Sequence, residues 1–217
     1  DSDDVAKAMK LFEPRYYDEM IEITPNIKIR MQDAGHILGA AIIELWVTEG
    51  EITTKVVFSG DMGMPDHPLI RDPQKIDSAD VVIMESTYGN TVHADYKNSL
   101  DSLMEVINTT TGKGGTVIIP SFAIGRTQEL LYELNKYYEY GGARFADPVP
   151  IYVDGPMATK ATGVFMKHTD LLDDEAQGLI KNGDNIFNFP NLFYTRSVDE
   201  SKALNADKTP KVIISAS

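Results

Sequence analysis

The chain contains no cysteine. That excludes a disulfide framework, a thiolate metal site and a cysteine nucleophile, and it fits a reducing, cytoplasmic compartment. Histidine is scarce: His36, His67, His93 and His168 are the four in 217 residues. There is no signal-peptide pattern and no apolar run long enough to span a bilayer, so no membrane partner is expected. Bases are outnumbered, with 20 Lys and Arg against 33 Asp and Glu and a formal charge of −13, which argues against a broad basic nucleic-acid footprint. The imbalance is uneven: 17 acids face 8 bases in residues 1–88, and 16 face 12 in residues 89–217. Acids can also hold metal ions, whose charge reverses the local field. A hydrophobic content of 42% supports a proper core and argues against disorder. The length suits one large domain or two small ones.

The first part of the chain reads as mainly β. Asp3 or Asp4 can cap a short helix to about Leu11, with Val5, Ala8, Met9 and Phe12 on its inward face. The runs 16–23 and 27–32, separated by Thr24-Pro25-Asn26, read as a hairpin. A second pair, 40–47 and 53–59, is joined by Glu49-Gly50-Glu51. Residues 60–77 are rich in Pro, Asp and Gly and read as loop, and 79–84 as a further strand. After Gly89 the texture changes. Helix spacing over 96–110 and from Gly125 to about Tyr138 alternates with short apolar strands at 116–120, 150–153, 192–195 and 211–215. Helices are also expected from Pro156, over 173–182 and over 199–204. Strands alternating with helices predict a parallel sheet with helices on both faces. No internal repeat or low-complexity segment is present.

Three strand signals end in polar residues. Val81-Val82-Ile83-Met84 reads as a short buried strand, and Glu85 stands at its end before the turn Ser86-Thr87-Tyr88-Gly89-Asn90. The carboxyl ends of strands are where α/β sheets build sites. His36 lies between Gly35 and Gly39 just after another strand, where an imidazole is well placed to bind metal. Asp61 ends Val57-Phe58-Ser59-Gly60-Asp61, and a carboxylate can bridge two metal ions. Each residue also has a plainer reading: a turn cap for Glu85, an Asx turn for Asp61, a hydrogen-bonded surface or core histidine for His36. Arg126, after Gly125 at a helix start, can face phosphate together with backbone N–H groups or brace the fold through an ion pair. Tyr132, Tyr137, Tyr138 and Tyr140 could stack bases, but their helical spacing reads as core and rim.

Taken together, these segments resemble the β-CASP group of metallo-β-lactamase-fold nucleases, the family of the mRNA 3′-end endonuclease and bacterial ribonuclease J. Ala34-Gly35-His36-Ile37-Leu38-Gly39-Ala40 resembles the family's third metal motif and Ser59-Gly60-Asp61 the fourth. Glu85-Ser86-Thr87-Tyr88-Gly89 is similar to the acid that opens the inserted domain, and the run from Pro120 to Leu130 to that domain's long signature. Val153-Asp154-Gly155-Pro156-Met157-Ala158 and Glu200-Ser201-Lys202-Ala203-Leu204-Asn205 resemble weaker markers. The resemblance covers nearly the whole chain in the family's order.

It implies an α/β fold class: a partial metallo-β-lactamase-type sheet in residues 1–88, followed by a mostly parallel, Rossmann-like β-CASP domain in residues 89–217. It implies a zinc-dependent hydrolase cleaving RNA phosphodiester bonds by two-metal activation of water. His36 would be a zinc ligand, Asp61 the carboxylate bridging two zincs, and Glu85 an acid orienting a metal-bound histidine. Ser121 and Arg126 are the candidate phosphate contacts. The chain also departs from the family. The His-x-His-x-Asp-His ligand motif and the two later histidine motifs are missing, and His67, His93 and His168 fit no such pattern, reading instead as surface or loop residues. Gly155 stands where Ser is frequent, and Met64 where a base is common. The chain starts abruptly and ends at Ile213-Ile214-Ser215-Ala216-Ser217, where the family continues. The expectation is therefore an excised piece that is inactive alone, with exposed strand edges that favour homo-oligomers. RNA is the expected partner; RNA against DNA and exo- against endonuclease mode stay open. Two other readings compete: a non-catalytic RNA- or partner-binding scaffold of the same fold, and an unrelated phosphate-binding α/β domain with Gly125 and Gly155 at helix starts.

Overall fold

The computed structural model describes residues 1–92, 97–140 and 149–216. It contains two sheets. Hairpin chemistry builds the first. Strands β1 (Met20–Thr24) and β2 (Ile27–Asp33) pair antiparallel around Pro25-Asn26. Strands β3 (Ala41–Glu49) and β4 (Ile52–Phe58) pair through Gly50-Glu51, where Gly50 takes φ 63°, a left-handed conformation that a two-residue hairpin turn requires. β5 (Val81–Ile83) joins parallel to β4, giving the order β1-β2-β3-β4-β5. Glu44 pins the middle strands. It pairs with Arg30 at 2.6 Å and Lys55 at 2.5 Å and accepts from Gln32 at 2.9 Å. Burial alone would raise its carboxyl, but these partners bring it down to about 2.

The second sheet is wholly parallel. β6 (Thr116–Ser121), β9 (Lys211–Ala216), β7 (Ile151–Asp154) and β8 (Leu192–Tyr194) lie in the order β6-β9-β7-β8. The expected strands at 116–120 and 211–215 are thus neighbours, in register from Thr116 opposite Lys211 to Ser121 opposite Ala216. Helices α2 (Lys97–Gly112), α3 (Arg126–Tyr140), α4 (Pro156–Phe165), α5 (Asp174–Lys181) and α6 (Val198–Ala206) fill the crossovers. The main core gathers Ile151, Val153, Val212 and Ile214 with Met104, Ile107, Leu131, Tyr132 and Phe165. Tyr132 is fully buried and Tyr138 stacks on Phe189 at 5.2 Å, whereas Tyr140 is exposed, so the tyrosines of α3 are core and rim.

Two expectations change. Helix α1 (Ser2–Met9) is capped by Asp1, whose carboxylate accepts from the Asp3 and Asp4 N–H groups at 2.9 and 3.0 Å. Its expected inward face is not buried: Val5, Met9 and Phe12 are exposed and the helix buries no residue. β5 is not buried either. Val81, Val82, Ile83 and Met84 are all exposed, and among the described residues β5 pairs with β4 alone, at the sheet's edge. Residues 60–77 are loop, as read, but a loop that contributes to the core. Leu69 and Ile70 enter the core beneath the second sheet, where Ile70 bridges antiparallel to Leu172 and the Asp173 N–H donates to the Leu69 carbonyl at 3.0 Å. Arg71 clasps the same segment, donating from Nε to the Leu172 carbonyl at 3.2 Å and from Nη2 to the Asp170 carbonyl. Replacing Leu69 with Ala should destabilise the fold by about 2–5 kcal/mol; urea unfolding checks this, and a change below about 0.5 kcal/mol would show that the segment does not hold the two sheets together.

Candidate functional site

The exits of β2, β4 and β5 converge because their loops are bonded to one another. At the end of β2, Asp33 folds the chain back by accepting from the Gly35 N–H at 2.9 Å, while the Asp33 N–H donates to Gln74 Oε1 at 2.5 Å. Burial pushes the Asp33 carboxyl up, against the Gly35 N–H. The loop after β4 lies directly on this turn. The Gly63 N–H donates to the Ala34 carbonyl at 2.9 Å, and a Cβ on Gly63 would fall 1.5 Å from the Gly35 carbonyl oxygen. Only glycine fits there. At the end of β5, the Glu85 N–H donates to Ser59 Oγ at 3.1 Å, and Glu85 Oε1 accepts from the Met62 N–H at 2.6 Å.

His36 and Asp61 are exposed on these loops and Glu85 is half-buried. The Glu85 carboxyl is held below its usual range, chiefly by the Met62 N–H, then by the Thr87 hydroxyl and the nearby His36. The bonding runs from β5 to the loop after β4, and from there to the loop that carries His36. That loop also meets the second sheet: a Cβ on Gly125 would lie 2.5 Å from Ile37 Cγ2.

Across this contact, Ser121 is half-buried at the end of β6, with its Oγ 3.0 Å from Thr127 Oγ1. Arg126 has the ion pair rather than a free face: its Nη1 meets both Glu129 carboxylate oxygens at 2.8 and 2.9 Å, leaving the side chain 57% exposed. His67, read as a surface or loop residue, lies in a loop, partly buried, with Nδ1 3.3 Å from Glu129. His168 is exposed, as read, and His93 lies outside the described residues. Asp154 ties two of the weaker motifs together, accepting from Thr195 Oγ1 at 2.8 Å and Ser201 Oγ at 2.9 Å. Beside it, a Cβ on Gly155 would lie 2.2 Å from the Ala216 carbonyl oxygen, so the glycine belongs to the packing. Among the described residues no three His, Asp or Glu side chains gather so as to hold a metal ion. His36 and Asp61 offer two donors, fewer than the three protein ligands a catalytic zinc takes, so these side chains alone do not make a zinc site. Sequence reasoning missed Ser59 and the Met62 N–H, which hold Glu85; the signal available was the Ser beside Gly60-Asp61.

Comparison with known proteins gives a consistent picture. The Beta-Casp domain family matches residues 127–217. The chain is 32% identical over 215 residues to Ribonuclease TTHA0252 of Thermus thermophilus, covering 99% of this chain and 48% of that protein. It is 38% identical over 218 residues to an RNase J-like protein of Methanocaldococcus jannaschii, again 99% of this chain and 48% of the relative. It is 36% identical over 188 residues to Transcription termination factor FttA of Methanosarcina mazei, covering 84% of this chain and 28% of that protein. The chain thus spans about half the length of the first two relatives.

The bond from Met62 to Glu85 makes the site loop sensitive to acid. Glu85's folded pKa is lowered, so its contribution is present above the ordinary carboxylate range and lost as pH falls through the folded value. Amide exchange at Met62 should therefore speed up, relative to the intrinsic rate, at acid pH. In Glu85→Gln the protection should already be reduced at neutral pH and respond little to acid. Equal protection in the two proteins across that range would show that other contacts hold the loop.

Proposed function

The chain belongs to the β-CASP group of metallo-β-lactamase-fold proteins, and from that membership we propose that it is part of a zinc-dependent ribonuclease, residues 1–88 belonging to the metallo-β-lactamase domain and 89–217 to the β-CASP domain. The observation that carries the reading is the bonded convergence of the loops bearing His36, Asp61 and Glu85, in a chain similar over 99% of its length to a ribonuclease. Zinc, when bound, supplies an activated water and neutralises charge on the phosphate. His36 and Asp61 are this chain's donors toward it, with the further ligands coming from residues outside this chain. Glu85 accepts from the Met62 N–H, and would orient an imidazole that held the metal, acting on the ligand rather than on the metal. Ser121 and Arg126 face the phosphate backbone, and Arg126 exchanges Glu129 for phosphate when RNA arrives. Residues 1–217 alone do not cleave. A second reading, a scaffold that binds RNA or a partner without cutting, is favoured by the lack of any grouped set of three ligands among the described residues.

One experiment separates the two. In the full-length protein, cleavage of a labelled single-stranded RNA should stop in chelator and return with zinc. Asp61→Ala should drop to background with the fold intact by circular dichroism, and Glu85→Gln should lose about 10–100-fold. Undiminished cleavage by Asp61→Ala would remove its bridging role. RNA binding with no cleavage under any zinc condition would favour the scaffold.

A further inference from the structure

Phe122 follows the last residue of β6 and is 77% exposed, and Ile124 two residues on is 47% exposed, while Ala123 between them is buried. A chance surface loop is loosely held; this one is fastened from below by two fully buried polar side chains. Thr127 Oγ1 donates to the Phe122 carbonyl at 2.7 Å. Gln128 accepts from the Gly125 N–H at 2.8 Å and donates to the Ala123 carbonyl at 3.1 Å, and its amide is held in turn by Thr162 Oγ1 at 3.0 Å. The Arg126 N–H closes the turn on the Ile124 carbonyl at 3.2 Å. Buried hydrogen bonds thus hold rigidly a turn whose two large apolar side chains face water. The turn lies at the candidate site, since Gly125 packs against Ile37, the neighbour of His36.

We propose that Phe122 is a stacking platform for one base of a single-stranded RNA whose backbone enters the site. This rests on the ribonuclease reading above and adds to it the feature of the substrate that is recognised: an unpaired base. A fixed aromatic face at a sheet's carboxyl edge stacks any base without reading its sequence. Its neighbours suit a nucleotide better than an apolar polypeptide face, because Ser121 carries a hydroxyl and Arg126 a half-exposed guanidinium.

The test uses the full-length protein in chelator, so that binding is read without turnover, and a set of labelled RNA decamers, intact or with one base removed at successive positions. Wild type should bind at least one abasic decamer about ten-fold more weakly than the intact one. Phe122→Ala and Phe122→Leu should bind all of them alike, at the weaker affinity. Phe122→Tyr should behave as wild type. All four proteins should melt together, since the ring is exposed. If wild type does not distinguish the abasic decamers, or Phe122→Leu matches wild type, the stacking role is overturned and the side chain serves packing or a protein partner. Zinc-dependent cleavage that persists in that case leaves the ribonuclease reading standing. If wild type neither binds nor cleaves RNA, both readings fall together.

Discussion

Burying Leu69 and Ile70 beneath the second sheet is the constraint on which the arrangement of the molecule depends. Both residues belong to the segment between β4 and β5, yet their side chains complete the other sheet's core. Leu69 sits there at φ 76° with none of its surface exposed. A left-handed backbone costs about 1–2 kcal/mol in a residue other than glycine. Full burial of a leucine returns about 1.5–3 kcal/mol, and two backbone pairings to Leu172 and Asp173 add to it. With this segment inserted and Arg71 clasped to Asp170 and Leu172, the first sheet is fastened to the second. The His36 loop is then carried against the Gly125 turn.

Within the first sheet a buried charge cluster does comparable work. Glu44 is 1% exposed and has two cations and an amide around it. A buried carboxylate is tolerable only when fully paired, so β2, β3 and β4 cannot slip in register without breaking the set. Two of these strands, β2 and β4, end in the loops that carry His36 and Asp61. A chain with a formal charge of −13 thereby keeps its site loops in place with few bases. On the proposed reading, contact with a polyanion would rest on local features, the Arg126 guanidinium and the Phe122 ring, rather than on a broad positive field.

Several glycines mark places where two backbones meet. Gly63 lies on the Gly35 carbonyl, Gly155 on the Ala216 carbonyl, and Gly125 on Ile37. At Gly125 the contact is between the two sheets' loops, so a side chain added there would push the candidate site open.

Much of the fold was legible in residue order because it follows from local pattern. Alternating apolar residues around Pro25-Asn26 and Gly50-Glu51 specify hairpins, and apolar runs alternating with helix spacing specify the parallel sheet. His36, Asp61 and Glu85 stood out because each follows a strand signal. Pattern could not say what lies on the other side of a strand or helix. The apolar faces of α1 and β5 looked inward but are exposed, since none of the described residues covers them. Leu69 and Ile70 lie in loop, as the pattern indicated, yet are core. Arg126 could have been free or paired; Glu129, one turn along its helix and also facing His67 from the first half, decided for the pair. The sequence by itself determined which segments are strands and helices and which residues end them, because hydrophobic periodicity and turn chemistry act over a few neighbours. The tertiary structure alone decided which loops meet, because burial and pairing join residues as far apart as Ile70 and Leu172.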